Sequence, residues 1–136
     1  MKIGFFALLP VALLMACIST HDSVMGTQHS QLQTRNYQSR SFETDDRGMV
    51  LRSVISTMQD LGFIIGRADE KLGTITGTSF ANGSKLTVSV RATGPNRIVV
   101  RANAQAGLNE IADPKPYQNF FNALSQSLFL EAQMVE

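Results

Sequence analysis

Polar and apolar positions divide the chain into three unlike zones. From Ile3 to Ala16 no polar side chain occurs. Residues 18–34 are mostly polar and follow no period, as in Ile18-Ser19-Thr20-His21-Asp22-Ser23 and Thr27-Gln28-His29-Ser30-Gln31. From Arg35 onward the two residue classes recur with the periods of regular structure.

In that third zone Arg35 to Phe42 reads as a first strand. Thr44, Asp45 and Asp46 supply a cap and negative charge for a helix start. Val50, Leu51, Val54, Ile55, Met58 and Leu61 follow at spacings of one, three and four, a single stripe on a helix. Gly62 stands where a glycine ends such a helix. Phe63 to Arg67 is a short apolar run that predicts a strand. Asp69-Glu70-Lys71 predicts a turn, and Leu72 to Phe80 a threonine-rich strand. Asn82-Gly83 marks a hairpin, because both residues tolerate positive φ.

Two strands are then plainly written. In Lys85 to Arg91, Leu86, Val88 and Val90 alternate with polar neighbours. Gly94-Pro95-Asn96 turns the chain. In Arg97 to Ala104, Ile98, Val100, Ala102 and Ala104 share a face, and only Val99 breaks the alternation. A period of two with one apolar face means a sheet covered on one side. Asp113-Pro114 opens a last helix with a cap acceptor and a first-turn proline. Its stripe is Tyr117, Phe120, Phe121, Leu124, Leu128 and Ala132, widened by Phe129 and Leu130.

The predicted order is β-α-β-β-β-β-α. It implies an α+β fold: an antiparallel sheet of four to five strands with two helices packed on one face. Residues 35–136 form a single domain in this reading. Met58 is expected to fill core space.

Composition changes the picture only for the first zone. The chain has 136 residues, is 43% hydrophobic, and contains one cysteine. Twelve Lys and Arg face eleven Asp and Glu; one of the twelve, Lys2, lies in the apolar leader, so the remainder is balanced. A general nucleic-acid binder would carry a basic surplus, and no polybasic membrane patch is present. Lys2, the apolar stretch and small Ala16 have the layout of a secretory signal. The stretch is shorter than the ~20 residues that a membrane-spanning helix needs, and Pro10 interrupts it.

Leu14-Met15-Ala16-Cys17 resembles the bacterial lipobox, with leucine three before the cysteine and a small residue one before it. Met15 stands where that pattern has a small or β-branched residue. The resemblance implies cleavage between Ala16 and Cys17, diacylglycerol on the Cys17 thiol and an acyl chain on the new amino terminus. It implies no other cofactor. Residues 1–16 are then a signal peptide, and 17–34 a lipidated cysteine and tether. Several acyl chains anchor stably, each buried methylene contributing about 0.8 kcal/mol. Ile18, rather than aspartate, follows the cysteine. By the enterobacterial sorting rule this implies the outer membrane, with the domain facing the periplasm.

The element order with a lipidated cysteine resembles the repeated helix-grip domains of BamC, a lipoprotein of the outer-membrane β-barrel assembly machine. BamC carries two such domains, and this chain has room for one. A nearer resemblance is to small, uncharacterised proteobacterial outer-membrane lipoproteins. It rests on Gln59-Asp60-Leu61-Gly62-Phe63, Ala68-Asp69-Glu70-Lys71-Leu72-Gly73 and the ending Asp113-Pro114 to Gln133. It implies fold and location and no chemistry.

No catalytic constellation is written in the third zone. It contains no histidine, so Ser-His-Asp and Cys-His arrangements have no base. His21 and His29 read as solvated tether residues, and no zinc spacing surrounds them. Gly73 and Gly77 lack the P-loop lysine and the Rossmann spacing. Asp45-Asp46 and Asp69-Glu70 read as a cap and a turn. One surface feature remains. Lys85, Arg91, Arg97 and Arg101 fall on the polar side of their strands, with Thr87, Ser89 and Asn103 between them. The face is either an ordinary solvated one or a docking surface for an acidic partner, a lipid head group or a glycan. Edge strands offer a second docking route. The expectation is a non-enzymatic accessory subunit of an envelope protein complex; the alternative is a binding module for a small apolar or lipidic ligand.

Overall fold

The computed structural model describes residues 32–134. A short helix α1 (residues 32–37) leads into β1 (Ser39–Phe42), α2 (Arg47–Asp60), β2 (Phe63–Asp69), β3 (Thr74–Ser79), β4 (Lys85–Gly94), β5 (Arg97–Ala106), β6 (Asn109–Glu110) and α3 (Pro114–Met134). The fold is α+β, with an antiparallel sheet in the order β1-β5-β4-β3-β2 and β6 paired to β5.

Register explains the layering. Leu86, Val88 and Val90 lie opposite Ala104, Ala102 and Val100. Paired residues point to the same side, so the alternation in β4 and β5 makes one continuous apolar surface. Ile75 and Gly77 extend it on β3 opposite Val88 and Leu86. α2 and α3 cover it with Val50, Val54, Met58, Tyr117, Phe120, Phe121 and Leu124, each at most 2% exposed. Gly77 is small for a reason: a Cβ there would sit 2.8 Å from Met58 Cε.

The expected helices form as read. Asp46 caps α2 through Met49 N to Asp46 Oδ1 at 2.8 Å, and Gly62 follows its end at φ +84°. Several boundaries differ. Residues 35–37 are helical, so the first strand has half its expected length, and residues 32–34, read as tether, belong to the same helix. Tyr37 is drawn inward there, its ring 5.4 Å from that of Tyr117. Leu61 and Phe129, assigned to core stripes, are exposed; Leu61 is already the α2 cap. Leu72 and Phe80 lie in turns outside β3 and are exposed. β2 runs two residues further than expected, past an irregularity between Ile65 and Arg67. Two-residue β6 is unmarked in the apolar pattern. The side chains of Leu130 and Ala132, and residues 1–31, lie outside the described part, so the cleavage and lipidation positions Ala16 and Cys17 do too.

The antiparallel path gives the sandwich two distinct ends. The β2–β3 and β4–β5 turns lie at the upper end, beside the start of α2. The β3–β4 and β5–β6 turns lie at the lower end, with Leu61-Gly62 and the first turn of α3. Below the core a polar knot ties the lower end together. The Tyr117 hydroxyl donates to Ile111 O at 2.7 Å and accepts from Ala104 N at 3.1 Å and Gln38 Nε2 at 3.3 Å. Gln38 also donates to Glu110 Oε1, and its carbonyl accepts from Ala102 N at 2.8 Å.

On α2, Ser53 Oγ and Thr57 Oγ1 are buried with no hydrogen-bond partner among the described residues. A buried unpaired hydroxyl costs about 1–3 kcal/mol. Thr57→Val is therefore expected to stabilise the fold by about 1 kcal/mol, read as a higher urea midpoint at unchanged slope. A lower midpoint would mean that the hydroxyl makes a bond in solution.

Candidate docking face

The face of the sheet away from α2 and α3 is polar because every second strand residue is. Its composition follows from the pairing. One cross-strand row holds Arg91, Val99 and Ser41; the next holds Asp69, Thr74, Ser89, Arg101 and Ser39. A third holds Arg67, Thr76, Thr87 and Asn103, with the two threonine hydroxyls 3.5 Å apart. The lowest holds Ile64, Thr78, Lys85, Gln105 and Glu110.

All four cations singled out in the sequence lie on this face, and three of them converge. Arg91 lies opposite Val99, and Arg97 and Arg101 flank Val99 on β5. Arg101 is therefore on a regular diagonal from Arg91, at a Cα separation of about 7–8 Å, and Arg97 lies on the other side, where the ladder shifts register between Ala92 and Gly94. Arg91 and Arg101 border an open depression of about 200 Å³, together with Ser39, Ser89, Thr93 and Val99. Val99, the residue that breaks the alternation, forms its floor. Lys85 is not part of the cluster. It pairs with Gln105, four residues along β5 from Arg101, or about 13 Å.

Three like charges within one screening length repel one another, and the face offers them little relief. The two carboxylates within its paired strand rows are engaged elsewhere. Asp69 Oδ1 accepts from Leu72 N at 2.9 Å, on the far edge. Glu110 Oε1 accepts from Asn103 Nδ2 at 2.8 Å and from Gln38. The arrangement has the chemistry of an anion-accepting surface: guanidinium forks with hydroxyls between them.

A fifth cation on this face escaped the sequence reading. Strict alternation from Phe63 and Ile65 puts Arg67 under the helices. The irregularity after Ile65 inserts one residue, and Arg67 turns outward opposite Thr76. Gly66 at the bulge was the available signal. Arg40, by contrast, sits on the helix side, 5.1 Å over the Phe121 ring and 3.4 Å from Ser125 Oγ.

The layer between helices and sheet, where a small apolar ligand was the alternative expectation, is filled by Tyr117, Phe120 and Phe121. Apolar space lies at its margins instead. A groove of about 350 Å³ runs between α2 and β2 over Leu51, Ile55, Ala68 and Ile75, with Arg52, Asp69 and Glu70 at its rim. Another of about 250 Å³ lies at the lower end between Leu61, Phe63, Leu86, Ile111, Pro116 and Phe120. Among the described residues no group of His, Cys, Asp and Glu is placed to hold a metal ion. None of the described helices is long and apolar enough to cross a membrane.

In sequence, no family model and no curated protein matches the chain. Among solved structures it is similar to the adenylate sensor from AMP-activated protein kinase in complex with 5-aminoimidazole-4-carboxamide 1-β-D-ribofuranotide. The identity is 12% and the TM-score 0.46, over 66% of this chain and 94% of that one. A likeness at that score and identity bears on neither the site nor the function.

Proposed function

We propose that the chain is a non-enzymatic lipoprotein of the outer membrane, tethered through Cys17, that serves as a docking subunit of an envelope protein complex. In this reading the open sheet face takes an acidic protein partner. The observation that carries it is the grouping of Arg91, Arg97 and Arg101 around Val99 on one sheet face, while Asp69 and Glu110 in its strand rows are held by Leu72 N, Asn103 and Gln38. The lipobox-like Leu14-Met15-Ala16-Cys17 supports the tether. The resemblance to small proteobacterial lipoproteins supports the location.

Two measurements test the two halves. Expressed in a Gram-negative host, the wild type is expected in the membrane fraction, with a mass that begins at Cys17 and includes acyl chains. Cys17→Ala is expected as an unmodified soluble form or precursor. If both proteins are soluble and unmodified, the anchor half is wrong. An exposed ion pair contributes up to about 1 kcal/mol, so Arg91→Glu/Arg101→Glu is expected to weaken binding of polyglutamate about tenfold at low salt. The difference should shrink as ionic strength rises. Equal binding by both proteins would leave the face an ordinary solvated one.

The groove over Leu51 and Ile55 favours a second reading, a binding module for a small apolar ligand. Saturable one-to-one uptake of dodecanoate, abolished by Ile55→Arg, would move the assignment there.

A further inference from the structure

Single exposed apolar residues are ordinary on a protein surface; several at one end are not. Among the described residues seven large hydrophobic side chains are exposed. Four of them, Leu61, Ile64, Phe80 and Leu108, lie at the lower end, and only Leu72 and Phe129 lie at the upper. Phe80 is 84% exposed at the β3–β4 turn, and Leu108 is fully exposed at the β5–β6 turn. The apolar groove beside Leu61 and Phe63 opens at the same end.

These tips stand on firm backbone. Phe80 N donates to Gly62 O at 3.0 Å, and Ser79 N to Ser84 O at 2.7 Å. Gly83 N donates to Ser79 O at 2.9 Å, and Ser84 N to Asn82 Oδ1 at 3.0 Å. A turn pinned by four bonds holds its aromatic ring outward, where no described group covers it. The β5–β6 turn is held by the Ala106 and Asn109 pairing and by Ile111 N to Ala104 O.

The chain also enters at this end. α1, which carries the seventh exposed hydrophobic, Leu32, is bound through Tyr37 to Ala112 and Tyr117, beside the first turn of α3. Fourteen residues separate Cys17 from Leu32, a reach of at most about 50 Å. That length places the domain near a membrane but does not orient it. Orientation has to come from the domain surface.

We propose that the lower end is a membrane-resting surface: Phe80 and Leu108, flanked by Leu61 and Ile64, insert into the interface of the phospholipid leaflet that holds the anchor. The inference rests on the lipid tether of the preceding section. Charge at this end is mixed, with Lys85 and Lys115 beside Asp60, Glu110 and Asp113, so the contact is apolar rather than electrostatic. The consequence for docking is direct. Arg91 lies six positions beyond Lys85 on β4, about 20 Å, so the arginine cluster is displayed on the half of the domain remote from the bilayer.

The test uses the full chain purified with its acyl chains from bacterial membranes and reconstituted in vesicles of phosphatidylethanolamine and phosphatidylglycerol. Phe80→Cys, Leu108→Cys and, as the upper-end control, Leu72→Cys each carry one environment-sensitive fluorophore; Cys17 is consumed by lipid. Flotation with the vesicles reads the tether. Iodide quenching reads the contact and is expected to be about threefold weaker at 80 and 108 than at 72, unchanged by added salt. Proteins that float but show equal quenching at all three positions overturn the orientation and leave the tether standing. Proteins that fail to float overturn both.

Discussion

Gly73→Ala is expected to lower the thermal midpoint by about 15 °C, because an added Cβ there makes the closest approaches at any described glycine. Gly73 sits in the β2–β3 turn at φ +68°. A left-handed residue with a Cβ costs about 1–2 kcal/mol. The greater part comes from space. The added Cβ would lie 2.4 Å from the Val90 carbonyl oxygen and 2.5 Å from Arg47 Nη2. Arg47 can swing aside, but Val90 cannot, because its own amide donates to Gly73 O at 2.8 Å and its strand is paired on both sides. Relieving the clash means parting the turn from β4, at about 1–3 kcal/mol for an overpacked site. Together these give about 3 kcal/mol, and each kilocalorie moves the midpoint of a domain this size by about 4–8 °C. Gly83→Ala separates the two terms. Its φ is +70°, but nothing lies within 4 Å of the new Cβ, so only the conformational part is lost. Equal midpoints for the two variants would show that the approach to Val90 contributes nothing.

Tyr117→Phe comes second, with an expected loss of about 3 kcal/mol although the ring and its packing stay. The hydroxyl is the hub of three bonds, and the residue is 1% exposed. Without it the Ala104 amide and the Gln38 amide group lose a buried acceptor, and the Ile111 carbonyl loses its donor. Each stranded group costs about 1–3 kcal/mol, partly relieved by relaxation. Tyr37→Phe is the control, since its hydroxyl bonds Thr34 and Ala112 at the solvent side, where loss should cost under about 1 kcal/mol. Amide exchange distinguishes a local from a global effect: Ala104 should exchange faster than its neighbours on β5. A urea midpoint unchanged from wild type would mean that the knot is dispensable and that β6 and α1 are held by packing alone. The knot and Tyr37 together hold β6 and α1 at the end that carries Phe80 and Leu108.

Much of the fold is legible along the chain. Two positions per repeat in β4 and β5, and three to four in α2 and α3, are dictated by side-chain geometry in each element. Apolar stripes at those spacings therefore identify the element and the side it buries. The same alternation put Arg91, Arg97 and Arg101 on the open face. Caps and glycines marked the boundaries because they answer local backbone needs, as at Asp46 and Gly62.

What the pattern left open depends on contacts between distant residues. Arg35 to Tyr37 reads as strand because its neighbours alternate, yet it is helical where Tyr37 reaches Tyr117 and Ala112. Leu61 and Phe129 fall in apolar helix stripes, and Leu72 and Phe80 bound an expected strand, yet all four are exposed. Arg67 changes face because of one inserted residue. Lys85 looks equivalent to the arginines in sequence, but antiparallel register carries it to the opposite end of the sheet. Sequence by itself determined which faces are apolar, because periodicity is a property of one element. Tertiary structure alone decided which charges meet and which apolar tips share an end, because strand order and register bring together residues that no local spacing relates.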